Sequence, residues 1–136
     1  SFQRDSNSCC SILGGIKHDI FNDRNGKPIA YTEDDEYIFL FTGEPVAYLY
    51  DNTVYGYNGR QFGWFENGWV RDLHGSCVFF TENATGSGPV KPVKQVKPVK
   101  SVKRIKPVKC ARHARRAKAA KCLGWSDLSG KHFFNQ

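Results

Sequence analysis

The sequence predicts an all-β fold of repeated short β-hairpins in an approximate four-fold arrangement, followed by an extended, polyproline-II-like basic segment of period three. Glycines recur at spacings of 17, 16 and 16 residues: Gly26, Gly43, Gly59 and Gly75. The short runs that flank each glycine are rich in Ile, Val, Tyr, Phe and Trp, which fit a pleated, half-buried surface. From Pro89 onward the chain becomes a run of x-Val-Lys triplets.

Length and charge set the domain organisation. The chain has 136 residues, the size of one ordinary domain, and its 40% apolar content is enough for a core. The net charge of +7 is the sum of two unequal parts. Residues 89–122 hold 13 of the 20 basic residues and no acid, so they carry +13, and the rest of the chain carries −6. We therefore divide the chain into an N-terminal segment (1–15), a hairpin body (16–88), the triplet segment (89–122) and a C-terminal segment (123–136).

In the body, each copy consists of a short strand, a glycine turn and a second short strand. Residues 23–26, 57–59 and 73–75 are predicted hairpin turns, because glycine adopts the positive φ that such turns need. Residues 66–68 predict a further tight turn between copies three and four. A small residue precedes an aromatic one at Ala30, Ala47 and Gly63. Such residues indicate a close approach of neighbouring chain segments, as at a symmetry axis.

The triplet segment repeats its pattern eleven times without a slip, with an aliphatic residue second and a cation third. Three residues per turn is the period of polyproline II, and prolines at 89, 92, 98 and 107 favour that backbone. Residues 110–122 contain Ala, Arg and Lys, which are strong helix formers. Either an extended or a helical conformation therefore stays open for residues 110–122.

The two faces of this segment predict two different functions. Buried aliphatic residues would stabilise docking on the same chain or on a neighbouring one. This aliphatic stripe consists of Val90, Val93, Val96, Val99, Val102, Ile105 and Val108. Cations without an acid could instead bind a polyanion such as nucleic acid. This cation row consists of Lys91, Lys94, Lys97, Lys100, Lys103, Lys106, Lys109, Arg112, Arg115, Lys118 and Lys121.

Three stretches resemble the bacterial family of 4-fold beta flower proteins: FGWFENGWVRDLHGSCVFFT (62–81), PVKPVKQVKPVK (89–100) and LGWSDLSGKHFF (123–134). The resemblance implies an all-β fold with an approximately four-fold arrangement of hairpins, and it implies no activity. The chain departs from the family pattern in SCCS (8–11) and in CARHARRAKAAKC (110–122).

Few residues suggest catalysis. His18 beside Asp19, His74 and Cys77 are the candidate ingredients, and none forms a recognisable nucleophile–base motif. The acidic run at 33–36 lacks the alternating ligands and glycine of a calcium loop, so we interpret it as a solvated loop or a counter-charge for the lysines. We expect no enzyme activity, no metal and no cofactor.

The cysteines do not pair evenly and have no zinc-site spacing: Cys9, Cys10, Cys77, Cys110 and Cys122. We interpret them as reduced thiols, which favours a cytoplasmic location. The sequence thus predicts a non-enzymatic structural or interaction protein whose triplet segment serves assembly. The expected partner is another copy of the chain; nucleic acid is the alternative, and a membrane is not expected.

Overall fold

The structure is a computed structural model that describes residues 19–128 and 130–136. Eight antiparallel strands form in these residues: β1 (Asp19–Asn22), β2 (Pro28–Thr32), β3 (Tyr37–Leu40), β4 (Pro45–Tyr50), β5 (Thr53–Tyr55), β6 (Gln61–Glu66), β7 (Trp69–Asp72) and β8 (Cys77–Phe80). Each strand pairs with the next, and β8 pairs with β1, so the sheet closes into a barrel. A short 3-10 helix (Gly130–Asn135) follows.

The four glycine turns join four equivalent hairpins of this barrel, β1–β2, β3–β4, β5–β6 and β7–β8. Gly26, Gly43, Gly59 and Gly75 have φ values of 80°, 93°, 88° and 89°. Each turn glycine donates its N–H to the carbonyl three residues earlier, as Gly26 does to Asp23 at 2.9 Å. In every hairpin the register shifts near the end of the first strand. The all-β prediction is confirmed, and the four-fold arrangement lies within one chain.

The predicted turn at residues 66–68 also forms, at the opposite end of the barrel. Asn67 and Gly68 both have positive φ, 53° and 82°, and they connect β6 to β7. Asp51 and Asn52 adopt the same left-handed conformation between β4 and β5, with φ of 50° and 59°. Asx residues tolerate this region better than other side chains, which is why short turns form here.

The interior is built from facing pairs, one from each hairpin: Phe21 with Ala30, Ile38 with Ala47, Val54 with Gly63, and Val70 with Phe79. Phe133 and Phe134 of the 3-10 helix belong to the same core. The ring of Phe133 lies 5.9 Å from that of Phe62 and 5.7 Å from that of Phe79. A Cβ on Gly63 would overlap the carbonyl oxygen of Arg71. Close approach therefore does explain the absence of a side chain at Gly63.

The outer face of the barrel is also apolar. The residue after each inward-facing residue of the second strand is aromatic and points outward by strand alternation. These residues are Tyr31, Tyr48, Trp64 and Phe80, and they are only 1%, 1%, 3% and 2% exposed. Another part of the chain must therefore cover the outside of the barrel.

The triplet segment follows β8 and contains neither helix nor strand. The helical alternative for residues 110–122 is not found. The reason is that the N–H groups of Cys110, His113 and Arg116 donate to the barrel and are not available to a helix. Among the described residues, no helix is long and apolar enough to cross a membrane. The N-terminal segment (1–15) lies outside the described residues.

Candidate functional site

The triplet segment runs around the barrel at the end that carries the glycine turns. Every ninth residue of the segment donates its backbone N–H to the carbonyl of a turn glycine, and each of these donors is the first residue of a triplet. The donors are Gln95, Arg104, His113 and Cys122, and the acceptors are Gly26, Gly43, Gly59 and Gly75, at 2.8, 2.9, 2.8 and 3.1 Å. Three triplets thus separate one hairpin from the next. We call each hairpin with the triplets that begin at its donor a quarter, numbered from β1–β2, so that residues 95–103, 104–112 and 113–121 belong to the first three quarters.

The turn glycines are required by the triplet segment as well as by the turns. A Cβ added to any of the four would overlap a carbonyl oxygen of the segment, at Val93, Val102, Ala111 and Ala120 in turn. These carbonyls are again nine residues apart. The contact is therefore made backbone to backbone, and it repeats with the symmetry of the barrel.

Prolines occupy first positions where the segment donates no hydrogen bond. Pro98 and Pro107 are the first residues of the middle triplets in the first two quarters. Proline has no N–H to donate. The equivalent Arg116 does have an N–H, which donates to the side-chain oxygen of Gln61 at 2.9 Å. Since Gln61 stands at the start of β6, it is well placed to supply this acceptor.

Arg71 of β7 holds both ends of the triplet segment. Its guanidinium donates to the carbonyls of Cys122 at 2.9 Å and Gly75 at 2.7 Å, and also to that of Ser87. Arg71 is only 4% exposed, so these carbonyls take the place of water around its charge. The chain enters and leaves its circuit of the barrel at this residue.

The cation row faces the outer aromatic side chains of the barrel. The ammonium of Lys100 lies 4.4 Å from the ring centroid of Tyr31, and that of Lys109 lies 4.3 Å from that of Tyr48. The guanidinium of Arg112 lies 3.8 Å from the ring centroid of Tyr50. Cations over ring faces are attracted by the ring quadrupole, and their aliphatic stems also cover apolar surface.

Acidic residues of the barrel loops pair with the same row. Glu33 binds Lys100 at 2.8 Å and also Lys103. These two lysines lower the pKa of Glu33 to about 2. Lys109 pairs with Glu36 at 3.5 Å, so the acidic run at 33–36 serves as a counter-charge.

Further ion pairs continue around the barrel. Arg115 pairs with Asp51 at 2.7 Å, Lys118 pairs with Glu66, and Lys94 lies 3.5 Å from Glu82. With the ring contact of Lys106 and the bond from Lys91 to the carbonyl of Ala84, nine of the eleven row members contact the rest of the chain. The negative body therefore offsets part of the positive charge of the segment within one molecule, and the net charge of +7 remains.

The aliphatic stripe points the other way. All seven of its side chains, Val90, Val93, Val96, Val99, Val102, Ile105 and Val108, are 90–95% exposed. We expected the stripe to dock on the same chain or on a neighbouring one; it does not pack on its own barrel, and docking on a neighbouring chain stays a prediction. The segment docks through its cations and N–H groups, because the outer face of the barrel offers aromatic rings and carboxylates.

Of the candidate catalytic residues, the structure describes Asp19, His74 and Cys77. Cys77 is fully buried, and its burial raises the pKa of the thiol to about 11, so it is not a reactive thiolate. His74 lies in the turn between β7 and β8. His18, Cys9 and Cys10 lie outside the described residues. In residues 19–128 and 130–136, no group of His, Cys, Asp and Glu could hold a metal ion.

The remaining cysteines are single thiols on the surface. Cys110 and Cys122 are exposed and free, and they flank the last four triplets. The N–H of Cys110 donates to the carbonyl of Tyr57 at 2.8 Å, and that of Cys122 donates to Gly75. Both residues thus contribute to docking through the backbone, for which the thiol is not needed.

Sequence reasoning did not identify Arg71 as the residue that holds the segment, or the glycine carbonyls as its acceptors. One signal was present. Four hairpins and eleven triplets are close to three triplets per hairpin, which suggests that both repeats follow one symmetry. Arg71 gave no comparable signal, because its three acceptors are backbone carbonyls far apart in the sequence.

A family model described as "4-fold beta flower protein" matches residues 19–134, which is most of the chain. Neither the curated proteins nor the solved structures include a match.

Proposed function

The chain belongs to the 4-fold beta flower protein family, and we propose that it is a non-enzymatic interaction scaffold that self-associates through the aliphatic stripe. The barrel supports the triplet segment, and the segment presents the stripe to a second copy. The observation that carries this proposal is the 90–95% exposure of seven aliphatic side chains in a single row.

Such a row is unusual on a monomer. Soluble monomers rarely expose extended apolar patches unless these bind something. A segment meant only to neutralise the body would need cations at the third position and nothing aliphatic at the second. Burying a valine contributes ~1.5–3 kcal/mol, so a few valines from each partner could offset the ~4–15 kcal/mol entropic cost of association.

A second copy of the chain carries the same aliphatic stripe with the same spacing, so its stripe can match this one. In an extended segment that rises ~3.1 Å per residue, the aliphatic side chains lie roughly 9 Å apart. The same spacing is present on another copy, and a two-fold axis would pair the stripe with itself. The alternative, polyanion binding through the cation row, has less support because nine of the eleven cations already contact the rest of the chain.

The test compares two sets of substitutions at second positions of the triplets. One variant carries serine at Val93, Val96, Val99 and Val102. The matched control carries serine at Ala111, Ala114, Ala117 and Ala120. The molar mass of each protein is measured by light scattering over a range of concentrations. We expect an oligomer for the wild type and the control, and a monomer with an unchanged melting temperature for the valine variant.

Two outcomes would refute self-association through the stripe. One is a wild type that stays monomeric at every concentration; the other is a valine variant with the mass of the wild type. Salt dependence separates the alternative, since contacts with a phosphate backbone weaken steeply with salt and apolar contacts do not. Salt-sensitive binding of duplex DNA by the monomer would favour polyanion binding.

A further inference from the structure

The outer face of the first quarter lacks two aromatic side chains that the second quarter has. In the strand register, Ile20 of β1 corresponds to Tyr37 of β3, because each faces the outer aromatic residue of the next strand. Asn22 corresponds to Phe39, because they face the equivalent prolines Pro28 and Pro45. In the second quarter these two rings fill the space under the triplet segment. In the first quarter a cavity of about 210 Å³ lies there, lined by Ile20 and Asn22.

The cations over this cavity repeat those of the second quarter. Nine residues separate Lys97 from Lys106, so they occupy equivalent positions along the segment. The ammonium of Lys106 lies 3.7 Å from the ring centroid of Tyr37, and that of Lys109 lies 4.8 Å from it. Lys97 lines the cavity, and within residues 19–128 and 130–136 it has neither an ion pair nor a ring contact. The first quarter thus keeps the cation and lacks the ring.

The remaining lining is polar. Asn22 is 2% exposed, and its amide nitrogen donates to the carbonyl of Phe80 at 3.3 Å. Its amide oxygen can therefore accept a hydrogen bond from a hydroxyl group. Gln95 lies on the segment side of the same cavity. The rim also carries two carboxylates, Asp19 and Glu82, and a second lysine, Lys94, which lies 3.5 Å from Glu82. Between them the cavity offers an aliphatic wall, the ammonium of Lys97 and amide groups within a space suited to one ring.

We propose that this cavity binds a small phenol, with the ring under Lys97 and the hydroxyl at the amide groups. Tyr37 in the second quarter is itself a phenol beneath the equivalent lysine, so the protein already contains the contact that a ligand would reproduce. An apolar cavity of ~150 Å³ holds benzene, so 210 Å³ has room for a ring with a small substituent. The site lies between barrel and segment and does not depend on self-association.

The test uses 4-methylphenol, which is the tyrosine side chain without its backbone. It is titrated into the ¹⁵N-labelled full chain, and the amide shifts are followed by NMR. We expect saturable shifts at Ile20, Asn22 and Gln95, with a Kd of about 1 mM, the scale for so small a ligand. The control ligand is 4-methylcyclohexanol, which has the same outline and no aromatic face. It should bind at least several-fold more weakly because it cannot interact with a cation through a ring quadrupole.

Two variants test the residues directly. Lys97→Gln should weaken binding about 3- to 30-fold, the range of a cation–π contact. Ile20→Tyr places the missing ring in the cavity and should abolish binding. The proposal is wrong if 4-methylphenol gives no localised shifts, if 4-methylcyclohexanol binds equally well, or if Lys97→Gln binds as the wild type does.

A third ligand distinguishes a phenol ring that belongs to a peptide from one that belongs to a free small molecule. N-acetyltyrosine amide carries the same phenol on a peptide backbone. Binding of both ligands with similar Kd would indicate a tyrosine side chain of a partner peptide. Binding of 4-methylphenol alone would indicate a free phenolic compound, because the cavity would then exclude a backbone. Both outcomes support a phenol site and differ only in the source.

Discussion

The backbone N–H of Arg116 donates a hydrogen bond of 2.9 Å to the side-chain oxygen of Gln61. In the first two quarters, prolines stand at both positions, Pro28 and Pro45 in the barrel and Pro98 and Pro107 in the segment. Neither partner can then donate through its backbone nitrogen. In the third quarter a hydrogen-bonding pair replaces the pair of prolines, so the two positions change together.

This pairing predicts a coupling between the two residues. Gln61→Pro leaves the N–H of Arg116 without its acceptor, and Arg116→Pro leaves the side-chain oxygen of the buried Gln61 without its donor. We expect each single variant to lower the free energy of unfolding by about 1–3 kcal/mol. The double variant reproduces the proline pair of the other quarters and should cost less than the sum. A double-mutant cycle by urea denaturation measures the coupling, and strictly additive costs would contradict it.

Gly43→Ala tests the backbone contact between barrel and segment. A Cβ at Gly43 would overlap the carbonyl oxygen of Val102, and φ there is +93°. Gly86→Ala is the matched control, because Gly86 has a φ of +79° and no atom within 4 Å of an added Cβ. The control should cost about 1–2 kcal/mol, the strain of a side chain in the left-handed region. We expect Gly43→Ala to cost clearly more, about 3 kcal/mol, since the segment must move away. Equal costs in denaturation would mean that the segment does not press on the turn.

Arg71→Lys tests whether a single guanidinium holds both ends of the segment. Lysine keeps the charge but cannot present the planar set of donors that reaches three carbonyls. We expect a loss of stability of about 3 kcal/mol, because the buried charge at position 71 would lose hydrogen bonds to its carbonyl acceptors. We also expect faster hydrogen exchange at the N–H groups of Arg104 and Cys110, which bind the barrel. Arg60→Lys, at an exposed position, is the control and should change neither quantity.

Glu33 predicts a pH dependence of stability. Lys100 and Lys103 lower its pKa in the folded protein from 4.5 to about 2. A carboxylate with a lowered pKa stabilises the fold fully above its unfolded pKa, and this contribution disappears as the pH falls from about 4.5 toward 2. The stability difference between the wild type and Glu33→Gln should therefore shrink over that window in urea denaturation. The control is Glu44→Gln at an exposed carboxylate in the turn of the second quarter, and it should show a smaller change.

The hairpins were predictable because their signals are local. A glycine between two β-rich runs specifies a turn without reference to any distant residue, and Gly26 and Gly59 behave as such glycines should. For residues 89–109 the unbroken triplet pattern favoured one extended element, whereas residues 110–122 stayed open between an extended and a helical conformation. The orientation of that element was not predictable from the valines alone, because it depends on what the barrel presents.

A signal for that orientation existed in the strands. Ala30 and Tyr31 are neighbours on opposite faces of β2, and both are buried. A strand that is apolar on both faces needs a cover on each side. The cover for Tyr31 is a lysine, because a phenol ring next to Glu33 attracts a cation more strongly than it attracts a valine. This step required the spatial neighbours of Tyr31, which the sequence does not specify.

Because the triplets are so similar, the segment could in principle align with the barrel in more than one register, and the prolines limit this choice. Shifting the segment by one triplet would keep every cation facing inward, so the charges alone do not fix its position. Gln95, which binds the first turn glycine, has Pro92 three residues before it and Pro98 three residues after it. A slip in either direction would bring a residue without an N–H to the carbonyl of Gly26. These two prolines therefore oppose a slip of the segment by one triplet in either direction.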